Sequence, residues 1–508
     1  VDLTDKINVS WLAEYQKTTG PTLRTYAPLG VVNGALRSKP ETYDRIRRDT
    51  PSDSETKQAY ISQKITFDVG DLGEIALNAS YRNYDFNGIS DSDQTDIPIT
   101  TSTAARKTDI LRTEGTEDVY LEAIWTSPDE GPLTWIAGIS YFDETFDFTR
   151  IIQSNRDLRP QGLGTPRYWI GFPKPGTNVK TEAISAFASV TYQFTDAFSA
   201  TAGIRWSQDK KTLHFQQGLL PQGTVPQGNP ALDAFLVTAV GAPYPNYNID
   251  LGAEFTFTAP SLSLKYEIND DINVYATYST GFRPGAFNLS PTTLDTIPYN
   301  QESADNYEIG LKSNIQNRIR FDLALFQVNV KDELVPFQLQ AFPGRVFYRN
   351  AGASQRRGIE TSLSASLAKG LVFFGNYTYS HFIYQSYQTT AGTFDGNTLP
   401  GIPKHLWYDE LRYFRPTGFF GIVQLRHAGE LFADDANTSV SPGYTLLNLR
   451  AGYQLKISKL QVEFFGGANN VFDVIYTNNV QINAAAGRYF EPAMGRNAYV
   501  GVRVGVGK

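Results

Sequence analysis

The last residues of the chain alternate strictly. Val500, Val502, Val504 and Val506 fall on one face, and Tyr499, Gly501, Arg503 and Gly505 on the other. A period of two marks a β-strand with one apolar face. The same rhythm recurs roughly eighteen times, counted as period-two runs bounded by turn residues. Ile7, Val9, Trp11, Ala13 and Tyr15 form the first such face. Ile75 to Tyr81, Val119 to Trp125, Trp135 to Tyr141, Ile184 to Tyr192, Phe198 to Trp206 and Ile272 to Tyr278 repeat it. Short turns at Gly70 to Gly73, Pro128 to Pro132, Thr195 to Ala197, Asn269 to Asp271, Gln316-Asn317, Ala368 to Gly370, Arg415 to Gly418 and Lys456 to Lys459 alternate with long polar segments. Three of those segments are read as loops over 17–55, 85–116 and 214–253. Short turns therefore collect at one end of the strands and long loops at the other, with aromatic residues near the strand ends. This asymmetry predicts an all-β fold, an antiparallel transmembrane β-barrel with about eighteen strands visible. A soluble propeller or solenoid would repeat at a fixed period, and none is found.

Composition sharpens this picture in a few places. The mean hydropathy is −0.32, with no run of eighteen apolar residues. A membrane barrel tolerates that value because every second strand residue faces a wet lumen. A net charge of −7 and a pI near 5.4 argue against a nucleic-acid partner. With no cysteine, neither disulfides nor thiolate metal sites are expected. The four histidines, at 214, 381, 405 and 427, are scattered and are read as interface or lumen residues rather than metal ligands. No cofactor and no catalytic constellation is expected. The chain opens at Val1 without an initiator Met or a signal peptide, as a mature, truncated or incompletely known chain would.

Six segments carry a family resemblance, in order along the chain: VYATYSTGFRPGAFN from Val274, ESADNYEIGLKS from Glu302, RNAGASQRRGIE from Arg349, LPGIPKH from Leu399, GANNVFDVIY from Gly467 and GRYFEPAMGRNAYVG from Gly487. Together they resemble the barrel of TonB-dependent outer-membrane receptors, while the first 270 residues match only in rhythm. The resemblance implies a 22-stranded barrel filled by an N-terminal plug. Residues 1–508 would then be the C-terminal part of the barrel, the plug and about four strands lying outside this sequence. The final Gly507-Lys508 departs from the aromatic residue that usually ends the family, so a clipped or atypical terminus is expected.

The resemblance further implies active uptake of a scarce substrate in the Gram-negative outer membrane, gated by the plug and energised through the TonB complex. A ferric siderophore or similar iron chelate leads. Saccharide or other non-iron substrates are the alternatives within the family. A passive eighteen-stranded porin, a barrel enzyme and an assembly barrel are the alternatives outside it. Haem is disfavoured, because FRPG from Phe282 stands where haem receptors carry a different box. Expected partners are outer-membrane lipid and lipopolysaccharide, the plug and the TonB complex, with a monomer by analogy.

Aromatic residues and arginines in the long loops suit an anionic, aromatic chelate through stacking and cation–π contact. The candidates are Tyr168, Trp169, Phe172, Arg283, Phe342, Arg345, Tyr348, Arg488 and Tyr489. Glu302, Glu308, Arg356, Arg357 and Glu360 are expected to face the lumen and meet the plug, because charges on the lipid face are costly.

Overall fold

The computed structural model describes residues 2–4, 6–20, 30–32, 35–37, 53–91, 106–156, 167–171, 175–219, 247–289, 297–337, 346–350, 352–389, 392–484 and 489–506. Eighteen long strands form one antiparallel sheet. They are β1 (Ile7–Gly20), β2 (Asp53–Asp68), β3 (Glu74–Asp91), β4 (Arg106–Thr126), β5 (Leu133–Arg156), β6 (Asn178–Thr195), β7 (Phe198–Leu219), β8 (Tyr247–Asn269) and β9 (Ile272–Arg283). There follow β10 (Glu302–Ile315), β11 (Ile319–Lys331), β12 (Ala353–Ala368), β13 (Leu371–Ser386), β14 (His405–Tyr413), β15 (Gly418–Ala428), β16 (Tyr444–Ile457), β17 (Leu460–Asn469) and β18 (Asn497–Val506). Each pairs with its neighbour in sequence. No α-helix occurs among the described residues.

Alternation decides which side chains meet lipid. Ile309 and Tyr307 on β10, Leu325 on β11 and Ile359 on β12 share the outward face and are exposed. Their sequence neighbours Glu308, Phe326 and Glu360 turn inward. The expected tight turns appear where sequence placed them. Gln316 and Asn317 both take φ of 52°, left-handed positions in the three-residue connection that joins Ile315 to Ile319. The inner wall interlocks glycines with rings across strands. A Cβ at Gly467 would lie 2.5 Å from the Tyr499 ring, and one at Gly501 would lie 2.4 Å from Phe465.

The strands run further than the sequence reading allowed. β3 continues to Asp91 and β4 begins at Arg106, so ladder pairing fills much of the 85–116 segment read as loop. Likewise β7 reaches Leu219 and β8 starts at Tyr247, inside the 214–253 segment. The outward face turns polar there, with Asp85, Glu117, Lys210 and Glu254, because these stretches stand above the lipid. On β7 and β8 the inward face stays apolar, with Leu213 and Phe215 buried against Ile249 and Leu251.

Among the described residues, β1 pairs on one side with β2 and on the other only with the short strand Asp2–Thr4, while β18 pairs with β17 alone. Their outward side chains are among the most exposed of the molecule: Trp11 at 71%, Val500 at 90% and Val506 at 76%.

Candidate functional site

The long connections gather at the end opposite the tight turns, and five of them are tied together by side chains. Asn288 caps the backbone of Tyr348 twice, accepting from its N–H and donating to its carbonyl, both at 2.8 Å. Asn350 does the same for Asn300, at 2.8 and 3.1 Å. Arg349 donates to Tyr387 Oη at 2.6 Å, with its guanidinium 4.5 Å from the Phe337 ring. Tyr384 Oη donates to Asp435 Oδ1 at 2.8 Å. Asn483 donates through Nδ2 to Asp435 Oδ2 at 3.0 Å and to the Pro336 carbonyl at 2.8 Å, while its Oδ1 accepts from the Asp435 N–H at 3.0 Å. Asn483 sits at φ 53°, a left-handed position that asparagine tolerates. Val335, Tyr384, Tyr387 and Leu399 pack into a small buried cluster against this knot. Burial pushes the Asp435 carboxyl above the usual carboxylate range, against the bonds from Tyr384 and Asn483 that favour the ion. Burial, then the Asp435 charge, pushes the Tyr387 phenol up to about 12.

Guanidinium–aromatic contacts recur around the mouth. Arg283, the last residue of β9, lies 5.8 Å from the Tyr348 ring, and Tyr299 packs beside Tyr348 with ring centroids 5.9 Å apart and planes tilted by 45°. Across the sheet, Arg112 on the inner face of β4 lies between Phe86 at 5.5 Å and Phe148 at 5.7 Å, and pairs with Glu114. The structure thus brings the expected Arg283 and Tyr348 together. It places Tyr489 elsewhere in the mouth, against Phe490 with ring centroids 5.8 Å apart. Tyr168 and Trp169 fall in a short strand, Arg167–Gly171, added to the top of β5, rather than in an unpaired loop. Phe172, Phe342, Arg345 and Arg488 lie outside the described residues. Sequence reasoning missed Arg112 and Phe86 because they stand in the 85–116 segment read as loop, and Phe148 because it lies beyond the run Trp135 to Tyr141 that was read as strand. It missed the Asp435–Asn483 knot because no spacing links residues 48 apart.

Of the charges expected in the lumen, Glu302, Glu308, Arg356 and Glu360 face inward. Glu302 accepts from the Leu334 N–H at 2.7 Å, Glu308 from Tyr275 Oη at 2.6 Å, and Arg356 donates to Glu333 at 2.6 Å. Arg357 is the exception. Successive strand residues cannot share a face, so Arg357 turns outward beside Ile359 and donates to Gln327 Oε1 at 2.8 Å. No group of three or more metal-ligating side chains occurs among the described residues.

The sequence profile of the family described as TonB dependent receptor-like, beta-barrel matches residues 2–471. The chain belongs to that family. Its members are barrel receptors of the Gram-negative outer membrane, which places this chain there. It is 23% identical over 336 residues to the pesticin receptor of Yersinia pestis, covering 64% of this chain and 44% of that protein. It is 27% identical over 220 residues to the ferrichrome outer membrane transporter/phage receptor of Escherichia coli (strain K12), covering 42% and 28%. The chain thus spans less than half the length of these curated relatives. Among solved structures, the ferric yersiniabactin uptake receptor FyuA from Yersinia pestis superposes with a TM-score of 0.71 at 16% identity, over 98% of this chain and 68% of that one. The unliganded ferric citrate transporter FecA gives 0.67 at 15% identity, over 99% and 68%. At these identities the likeness shows the fold alone.

Proposed function

We propose that this TonB-dependent receptor barrel takes up an anionic iron chelate, a ferric siderophore or a close analogue, by active transport. The observation that carries the reading is the exposed Arg283 guanidinium over Tyr348 at the mouth, with Arg112 between two phenylalanines across the sheet. A planar cation on an aromatic face recognises a flat anionic chelate by charge and by stacking together. Relatives named for pesticin, ferrichrome and ferrioxamine support the substrate class. The same reading assigns no covalent chemistry to the chain. It makes a plug domain the gate, with the inward Glu302, Glu308, Arg356 and Glu360 as its contacts, and TonB the source of energy. The functional unit is a monomer. Among the described residues β18 pairs on one side only and β1 meets only the short strand Asp2–Thr4 on its second side; the further barrel strands that the family resemblance implies would take those sides.

Equilibrium titration of the purified receptor with a ferric tris-catecholate and a ferric trihydroxamate tests this. The expected result is binding of the anionic chelate, weakened about tenfold by Arg283→Gln, which is about 1.4 kcal/mol, with the neutral chelate less affected. Binding of neither chelate, or equal affinity in the variant, would overturn the iron-chelate reading.

A further inference from the structure

The outer face of the barrel is electrically lopsided at the top of its lipid-facing belt. On β4, β5 and β6 the outward ladder of apolar and aromatic residues gives way to Glu117, Asp143 and Glu182, the last standing opposite Lys210 on β7. On β12, β13, β14 and β15 it gives way to Arg357, His381, His405 and His427. Thr361 and Asp409 are the polar positions within that second ladder, and Asp409 lies below Trp407. Three of the four histidines, scattered in sequence, therefore meet on adjacent strands. Arg357 stands directly opposite His381, Tyr379 opposite His405, and Trp407 opposite His427. Lys404 adds an ammonium 5.9 Å from the Tyr379 ring.

Their contacts leave nitrogens free. His405 Nδ1 is engaged by Tyr377 Oη at 3.0 Å, and His427 Nδ1 by Thr445 Oγ1 at 2.8 Å with its ring stacked 5.1 Å from Trp407. Each imidazole is thus held by one nitrogen and keeps the other. Arg357 uses Nε on Gln327, leaving both terminal nitrogens. Among the described residues none of these side chains pairs with a carboxylate.

We propose that this patch is a binding site for the phosphate headgroup of an outer-leaflet lipid, whose acyl chains lie on Ile359, Leu411 and Val423 beneath it. The occupant follows from position and charge. The patch stands where apolar side chains stop and aromatic ones begin, the depth of lipid headgroups. Fork-shaped arginine and N–H donors without acidic partners suit phosphate oxygens. Glu117 and Asp143 on β4 and β5 would repel the same headgroup, so the site belongs to the β12–β15 side of the barrel. This inference rests on the membrane placement and is independent of what the receptor transports.

The test uses the full chain in nanodiscs of zwitterionic phosphatidylcholine doped with a bis-phosphorylated glycolipid, the retained lipid being counted by native mass spectrometry. Wild type should retain the phosphorylated lipid. The variant R357Q/H381Q/K404Q/H405Q should lose it about tenfold or more, since its fixed cations at the headgroup depth are removed. Lys180→Gln with Lys210→Gln, on β6 and β7, should leave it bound. The single variant R357Q, with a smaller loss in the same direction, serves if the quadruple variant does not fold. Equal retention by R357Q and wild type, equal retention of phosphatidylcholine, equal loss in the β6–β7 control, or displacement by millimolar inorganic phosphate would each overturn the assignment to a lipid headgroup.

Discussion

Asn483 shows how one residue can hold several loops. Its side chain bonds Asp435 and Pro336, and its backbone adopts a left-handed angle. The two contributions separate by substitution. Asn483→Gly keeps the backbone angle and should cost about 1–3 kcal/mol of local stability through lost buried hydrogen bonds. Asn483→Ala should cost about 1 kcal/mol more, since alanine resists positive φ. Hydrogen exchange across 392–404 and 429–443 should accelerate together in both variants, and independent exchange of the two loops would contradict a shared knot. Asp435 adds a pH dependence. Its folded pKa is raised by burial, so the ionised form is the costly one. Protection of these loops should therefore rise as pH falls from neutral through that raised value, and level off below the ordinary carboxylate range. Asp435→Asn should abolish the dependence. Little of this was legible in the sequence. Arg283 and Tyr348 announced themselves by residue type, but the knot joins loops that only the barrel brings together.

At the scale of the strand, far more was legible. A period of two fixes which side chains meet lipid, and the tight turns carry residues that accept positive φ. The upper ends of β3, β4, β7 and β8 were not read as strand, because above the membrane the outward face turns polar, while on β7 and β8 the apolar residues Leu213, Phe215, Ile249 and Leu251 move to the inward face. The same blindness put Arg357 in the lumen: adjacent arginines look alike until register separates them. Register also explains two inward glycines near the C-terminus. Gly467 lies under the Tyr499 ring and Gly501 under Phe465, on the paired strands β17 and β18. Gly467→Ala should lower the stability measured by urea unfolding in detergent by about 1–3 kcal/mol, the usual cost of overpacking. Tyr499→Ala in that background should recover part of the loss. If the double variant is as unstable as the sum of the two singles, the ring does not depend on the missing side chain.

For the molecule as a whole, the open question is what lies between β1 and β18. Both present backbone groups that are unpaired for most of their length among the described residues, and both carry apolar outward side chains. A sheet edge of this length in lipid is costly, because no water is there to bond the free N–H and C=O groups. Two arrangements would remove that cost. The edges could pair with each other, giving an eighteen-stranded closed channel of the porin kind. Alternatively, about four further strands could intervene, as the 22-stranded family architecture implies. The absence of cysteine offers a clean background for telling them apart. Cysteines placed at Trp11 and, one at a time, at Val500, Val502 and Val504 all point outward, so each pair samples one register of a direct β1–β18 contact. A disulfide requires Cα atoms within about 7 Å, which neighbouring strands satisfy and strands separated by four others do not. In the native outer membrane, none of the three pairs should cross-link under mild oxidation. Efficient cross-linking of any one pair would close the barrel at eighteen strands. The inward Glu302, Glu308, Arg356 and Glu360 would then line a passive pore instead of facing a plug.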